Sequence, residues 1–92
     1  MIEIMKRTSL VYSDINKNSN KYYILELLKK DDDYTLIKRY GRLGKRPTII
    51  ENSYSLSKAT QEFNKTLDSK VKKGYKYCNI EDIMYSDGNF FN

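Results

Sequence analysis

Between Arg39 and Arg46 the chain places four cations, Arg39, Arg42, Lys45 and Arg46, around one aromatic residue, Tyr40, with Gly41 and Gly44 among them. Guanidinium and ammonium groups hold phosphate oxygens through charge-assisted hydrogen bonds, and a tyrosine ring stacks on a sugar or a base. Glycine lets a backbone approach a ligand closely. Such a stretch suits the grip of a polyanion, a phosphate track with one stacked group. Asn20 and Lys21, at the entry to a long apolar stretch, add two polar side chains capable of phosphate contact. The competing reading makes Tyr40 an ordinary strand residue of the core and the cations a solvated edge. For Arg42 two roles stand side by side: a bidentate phosphate contact, or a structural fork that holds its own loop through backbone carbonyls.

Catalytic constellations are hard to find. The chain has no histidine and one cysteine, Cys78, which excludes a Ser-His-Asp or Cys-His nucleophile, an intrachain disulfide and a Cys/His zinc cluster. Cys78 stands between Tyr77 and Asn79 with no activating base beside it, as expected of a structural thiol. Gly41–Lys45 lacks the spacing of a P-loop and the Ser or Thr that follows its lysine. Asp31, Asp32 and Asp33 read as a solvated turn, since nothing nearby completes a calcium loop. No catalytic residue, metal or cofactor is expected, and the chain does not read as an enzyme.

Seventeen basic residues against twelve acidic ones give a net charge of +5, unevenly spread. Residues 79–92 contain Glu81, Asp82 and Asp87 and no cation, so residues 1–78 carry seventeen basic groups against nine acidic, or +8. That balance favours polyanionic partners, because Lys and Arg displace the counterions condensed on phosphate chains. The lone cysteine suits a reducing compartment. The N-terminal stretch lacks the apolar core of a signal peptide, and no apolar run approaches the roughly 20 residues of a membrane span. The expectation is an intracellular protein, cytoplasmic or nuclear, without membrane association.

The elements that must position these residues follow from hydrophobic periodicity. Met1–Tyr12 is rich in apolar and β-branched residues and precedes an Asn-rich loop around residues 16–20. In Lys21–Lys30, Tyr23, Leu25 and Leu27 alternate with Tyr22, Ile24, Glu26 and Leu28, so both faces are largely apolar and the strand should be central. The three aspartates make a hairpin tip. Tyr34–Leu43 then carries Tyr34, Leu36, Lys38 and Tyr40 on one face and Thr35, Ile37 and Arg39 on the other. Thr48–Tyr54 supplies a fourth strand. Ala59, Phe63, Leu67 and Val71 recur every four residues, giving a helix over about 57–73 with Ser57 as N-cap and Gly74 just past its end. Its many lysines, Lys58, Lys65, Lys70, Lys72 and Lys73, read as a solvated outer face. Tyr75–Ile80 could close the sheet as an edge strand.

The expected fold is therefore α+β, a small antiparallel sheet of four to five strands with one amphipathic helix packed on one face. It forms a single domain over residues 1–78. Residues 79–92 are an apolar and acidic extension expected to pack on the domain or on a partner, with Tyr85, Phe90 and Phe91 as its partner-binding candidates.

The run Asn18-Ser19-Asn20-Lys21-Tyr22-Tyr23, then Arg39-Tyr40-Gly41-Arg42-Leu43-Gly44, and later Ala59, Phe63, Lys70 and Gly74-Tyr75, resembles the WGR domain. That family occurs beside the catalytic regions of DNA-dependent poly(ADP-ribose) polymerases and in assorted bacterial proteins. Tyr40 stands where the family has tryptophan, and Lys45-Arg46-Pro47-Thr48 replaces the Gly-Gln pair that commonly follows. In the polymerases the resemblance implies a domain that grips DNA near a strand break. Carried onto this chain, it makes Tyr40 the residue that stacks on a terminal sugar, with Arg42, Asn20 and Lys21 around the phosphates. The implied partner is nucleic acid, DNA in preference to RNA. The alternative is a protein-interaction or inhibitor module that uses the same surface and the residues beyond 79.

Overall fold

Each period-two stretch becomes a strand: β1 (Ile2–Asp14), β2 (Ser19–Lys30), β3 (Asp33–Arg42) and β4 (Thr48–Tyr54), followed by helix α1 (Leu56–Lys72) and a short β5 (Lys76–Tyr77). A computed structural model of the chain describes residues 1–17 and 19–79; the candidates Tyr85, Phe90 and Phe91 lie outside the described residues. The strands form one antiparallel sheet in the order β4-β3-β2-β1-β5. The central place of β2 is what its two apolar faces require, since only a strand flanked and covered on both sides hides Tyr22, Ile24 and Leu25 together.

The β2–β3 hairpin turns at Asp31, which takes a positive φ of 56°, a conformation aspartate tolerates better than most side chains. That turn fixes the register, with Tyr23 opposite Tyr40 and Lys21 opposite Arg42. In β1 the pairing shifts between Ile4 and Lys6, and beyond the shift Arg7 stands opposite Glu26. A bulge of this kind re-aims every side chain that follows it.

The helix begins earlier than its sequence suggests. Ser55, not Ser57, is the N-cap: its Oγ accepts a hydrogen bond from the Lys58 backbone N–H at 3.3 Å, and its carbonyl accepts the Ala59 N–H at 2.9 Å. The reason is the short connection. β4 runs to Tyr54, so the first residue able to leave the strand and cap a helix is the next one. At the other end the expectation holds: Lys73 is the C-cap, and Gly74, with φ 105°, takes the left-handed position. The Gly74 N–H bonds the Val71 carbonyl and the Tyr75 N–H bonds the Lys70 carbonyl, both at 3.1 Å, which is the Schellman arrangement.

α1 lays Ala59 and Phe63 on one face of the sheet, over Leu10, Tyr23, Leu25, Leu27 and Leu36, and these residues form the main core. Removing the Phe63 ring from such a site costs about 3–5 kcal/mol. Tyr22 and Ile24 form a second, smaller cluster on the opposite face with Val11, Leu43 and Cys78. Among the described residues no helix is long and apolar enough to cross a membrane.

Candidate nucleic-acid interface

Strand alternation divides the five candidate residues that lie in strands between two faces, and the other two lie in a turn. Lys21, Tyr40 and Arg42 belong to the face under α1, at the corner where the helix ends. Tyr40 is half-buried, and its ring stacks on Tyr23 with centroids 5.1 Å apart and planes at 7°. One face of the ring is thus already occupied. Lys45 and Arg46 are exposed in the turn that follows β3, whose Lys45 N–H bonds the Arg42 carbonyl at 3.1 Å. Gly44 makes this turn at φ 88°.

The remaining two do not join this corner. Arg39 points to the opposite face and gives its guanidinium to Glu26, as does Arg7, whose Nη2 lies 2.6 Å from Glu26 Oε2. Arg39 is thereby half-buried in an ion pair, and its ordinary pKa is lowered, chiefly by that burial. Asn20 is exposed at the start of β2, where its Oδ1 accepts from the Ser13 hydroxyl at 2.8 Å and its carbonyl accepts from the Leu43 N–H at 3.0 Å. It fastens the exit of β3 to the entry of β2.

What completes the corner comes from the far end of the chain. The Schellman turn reverses the backbone after Lys73 and swings Tyr75 against the sheet. Its ring lies 5.5 Å from that of Tyr12 and edge-on to that of Tyr23 at 6.4 Å and 84°. Gly74 permits this, since a Cβ there would stand 3.3 Å from Tyr12 Cε2. The Lys70 ammonium sits over the Tyr23 ring at 4.6 Å and over that of Tyr75 at 5.7 Å, two cation–π contacts that hold an otherwise flexible side chain. Reading Lys70 as solvated is therefore corrected. It follows Leu67 by three residues and so falls on the inward stripe of the helix, the signal that could have placed it.

Together Tyr12, Lys17, Lys21, Lys70, Lys73 and Tyr75 line a hollow of about 430 Å³. Tyr12 and Lys21 stand opposite each other in the β1–β2 register, as do Lys21 and Arg42 between β2 and β3. Among the described residues no carboxylate lies within salt-bridge distance of Lys17, Lys21, Lys70 or Lys73. The Lys70 pKa is lowered, by burial first and then by Lys73, Lys38 and Lys21. Tyr23 is pushed up to about 12, mainly by burial, then by Tyr40 and Tyr75. Tyr75 is raised by burial and by Tyr12. The hollow is thus a set of converging ammoniums between neutral phenols, next to a helix C-terminus whose partial negative charge these lysines offset. An anion entering it relieves the repulsion among them.

The comparisons with known proteins agree with this architecture. The WGR domain profile matches residues 6–81. The chain is 35% identical over 72 residues to the uncharacterized protein 101L of Invertebrate iridescent virus 6, covering 78% of this chain and 27% of that protein. It is 31% identical over 68 residues to poly [ADP-ribose] polymerase 2 of Homo sapiens, covering 70% of this chain and 12% of the polymerase. It therefore spans about a quarter of the viral relative's length and about an eighth of the polymerase's. No solved structure matches. With the family motif residues at the sheet corner and a match across most of its length, the chain belongs to the WGR domain family.

Proposed function

We propose that this WGR domain is a non-catalytic nucleic-acid-binding module that holds DNA, at ends or breaks, through phosphate contacts in the tyrosine-walled hollow. The observation that carries the reading is the convergence of Lys17, Lys21, Lys70 and Lys73 on one hollow, where among the described residues no carboxylate lies within salt-bridge distance of their ammoniums and Asp14 is bonded instead to the Tyr12 hydroxyl and the Lys17 backbone N–H. Cations left unneutralised at a concave surface form an anion site, whereas cations on a merely soluble surface disperse and pair. Lys21 and Lys70 hold the phosphate, and Arg42, Lys45 and Arg46 extend the track along the outlet of β3. The exposed part of Tyr40 offers a ledge for a terminal sugar, with less area than the indole found at that place in the family. WGR domains of poly(ADP-ribose) polymerases are associated with nucleic-acid binding, which supports the same class of ligand.

Titrating the protein with a short duplex, with and without a 5′-phosphate, and with the matching single strand, at two salt concentrations, tests the reading. Binding to duplex should weaken with salt with a log–log slope of about −3 to −4, the value for three to four phosphates neutralised. Tighter binding to the phosphorylated end should accompany it. Affinity independent of salt, or absent for every form, rejects the proposal.

A further inference from the structure

Two strands of the sheet, β1 and β4, have an outer edge, and the two edges are defended unequally. The outer side of β1 meets β5 only at Leu10 and Val11. The stretch before them is broken by the register shift between Ile4 and Lys6 and charged by Glu3, Lys6 and Arg7. A bulge and charged side chains guard an open edge: the first bends the row of free N–H and C=O groups, and the second must lose water when a strand is added.

β4 has no bulge and little charge. Its seven residues pair with β3 in unbroken register, from Thr48 opposite Tyr40 to Tyr54 opposite Tyr34. Among the described residues its outer side carries no strand. Pro47 stands before the strand and not in it, no lysine or arginine lies between Thr48 and Tyr54, and Glu51 is the one charge. Ile49 and Ile50, on opposite faces, are 51% and 38% exposed. A regular, nearly uncharged edge with an exposed isoleucine on each face is a template for another strand.

We propose that this edge pairs with the same edge of a second copy of the chain, β4 against β4 in antiparallel register about a two-fold axis at Ile50, giving a homodimer with one continuous sheet. A two-fold axis perpendicular to the sheet keeps every side chain on its own face, so residues meet only when they are an even number of positions apart. Centring the axis on Glu51 sets two carboxylates directly opposite, which is destabilising. Centring it on Asn52 brings Ser55, the N-cap of α1, against Ile49 of the second copy, where the chain has already left the strand. Centring it on Ile50 sets Ile50 beside its counterpart, Ile49 beside the counterpart of Glu51 and Thr48 beside that of Asn52. No like charges then stand directly opposed. Main-chain hydrogen bonds hold the pair, and two isoleucines of each copy leave water. None of the residues lining the lysine hollow belongs to β4, so this pairing does not rest on the phosphate reading.

The charge of the chain gives the test its sign. Each copy carries +5, so repulsion opposes the dimer and added salt strengthens it. Association bridged by nucleic acid has the opposite dependence. Sedimentation equilibrium of the full chain, freed of nucleic acid, should show the mass rising with concentration from that of the monomer toward twice that value, and rising sooner at the higher of two salt concentrations. Hydrogen exchange of β4 amides should slow as the dimer fills, and this concentration dependence should be absent from β1. Ile50→Lys, at an exposed position, sets two ammoniums opposite each other and should hold the protein at the monomer mass. Ile4→Lys, on the other edge, should dimerise like the wild type. A wild-type mass fixed at the monomer value, a dimer that salt dissolves, or a dimer that Ile4→Lys breaks and Ile50→Lys spares overturns the proposal. The wild-type mass and exchange decide the matter without either variant.

Discussion

At the end of α1, the ammoniums of Lys21, Lys70 and Lys73 converge on one hollow with no carboxylate in salt-bridge distance among the described residues, whereas on the opposite face Arg7 and Arg39 converge on the buried carboxylate of Glu26. Arg39 and Tyr40 are neighbours in sequence, yet strand alternation sends one into an ion pair and the other onto the ring of Tyr23. The contrast teaches that counting cations does not locate an anion site. What matters is whether the fold supplies each cation with a counter-charge, and among the described residues it does so for Arg7 and Arg39 but forms no ion pair with Lys21, Lys70 or Lys73.

The largest effect expected from breaking this contrast is on stability. Glu26→Gln leaves Arg7 and Arg39 facing each other with no anion between them, and should lower the folding free energy by about 3 kcal/mol in urea denaturation. Its duplex affinity should nevertheless stay with the lysine hollow; an increase carried by the liberated arginines would erase the distinction between the faces. Next in size, if Lys70 holds a phosphate as proposed, Lys70→Gln should weaken duplex binding about 10- to 100-fold, the 1.5–3 kcal/mol of a charged hydrogen bond. Arg7→Gln, tested beside it, should leave affinity close to wild type. Gly74→Ala should cost about 1–2 kcal/mol, because the left-handed residue must carry a Cβ and that Cβ presses on Tyr12.

The smallest effect is a titration. Tyr23 has its pKa raised from 10.0 to about 12, so the folded state keeps its proton where the unfolded state has lost it. The stability this provides is fully present below pH 10, and it declines from there until the folded pKa near 12 is passed. Ultraviolet titration of the nine tyrosines should show Tyr23 among the last to ionise. Ionisation near pH 10 by every tyrosine in the folded protein would mean that the stack with Tyr40 and the contact with Lys70 do not form.

Much of this was legible in the sequence. Two apolar faces made β2 central, and the aspartate turn at residues 31–33 fixed the hairpin so that Tyr23 meets Tyr40. The four-residue stripe announced the helix, and only its start moved, from Ser57 to Ser55, because β4 ends at Tyr54 and the next residue caps the helix. The site was less legible. Lys21, Tyr40 and Arg42 stand together as the family resemblance implies, but the fate of Arg39 depended on Glu26, thirteen positions away on another strand, and on a bulge that aimed Arg7 at the same carboxylate. Lys70 came with the inward stripe that Leu67 marks, while Tyr75 reached the corner through the Schellman turn at Gly74, a tertiary event that no charge count along the helix contains.

The central claim is that phosphates bind on the lysine face and not on the arginine face. Amide shift mapping on the full chain, titrated with a short 5′-phosphorylated duplex, tests it most directly. The largest changes are expected at Lys21, Arg42, Lys70, Lys73 and Tyr75, with Arg7, Glu26 and Arg39 nearly still. Changes centred on Arg7 and Arg39, or no changes at all, contradict it.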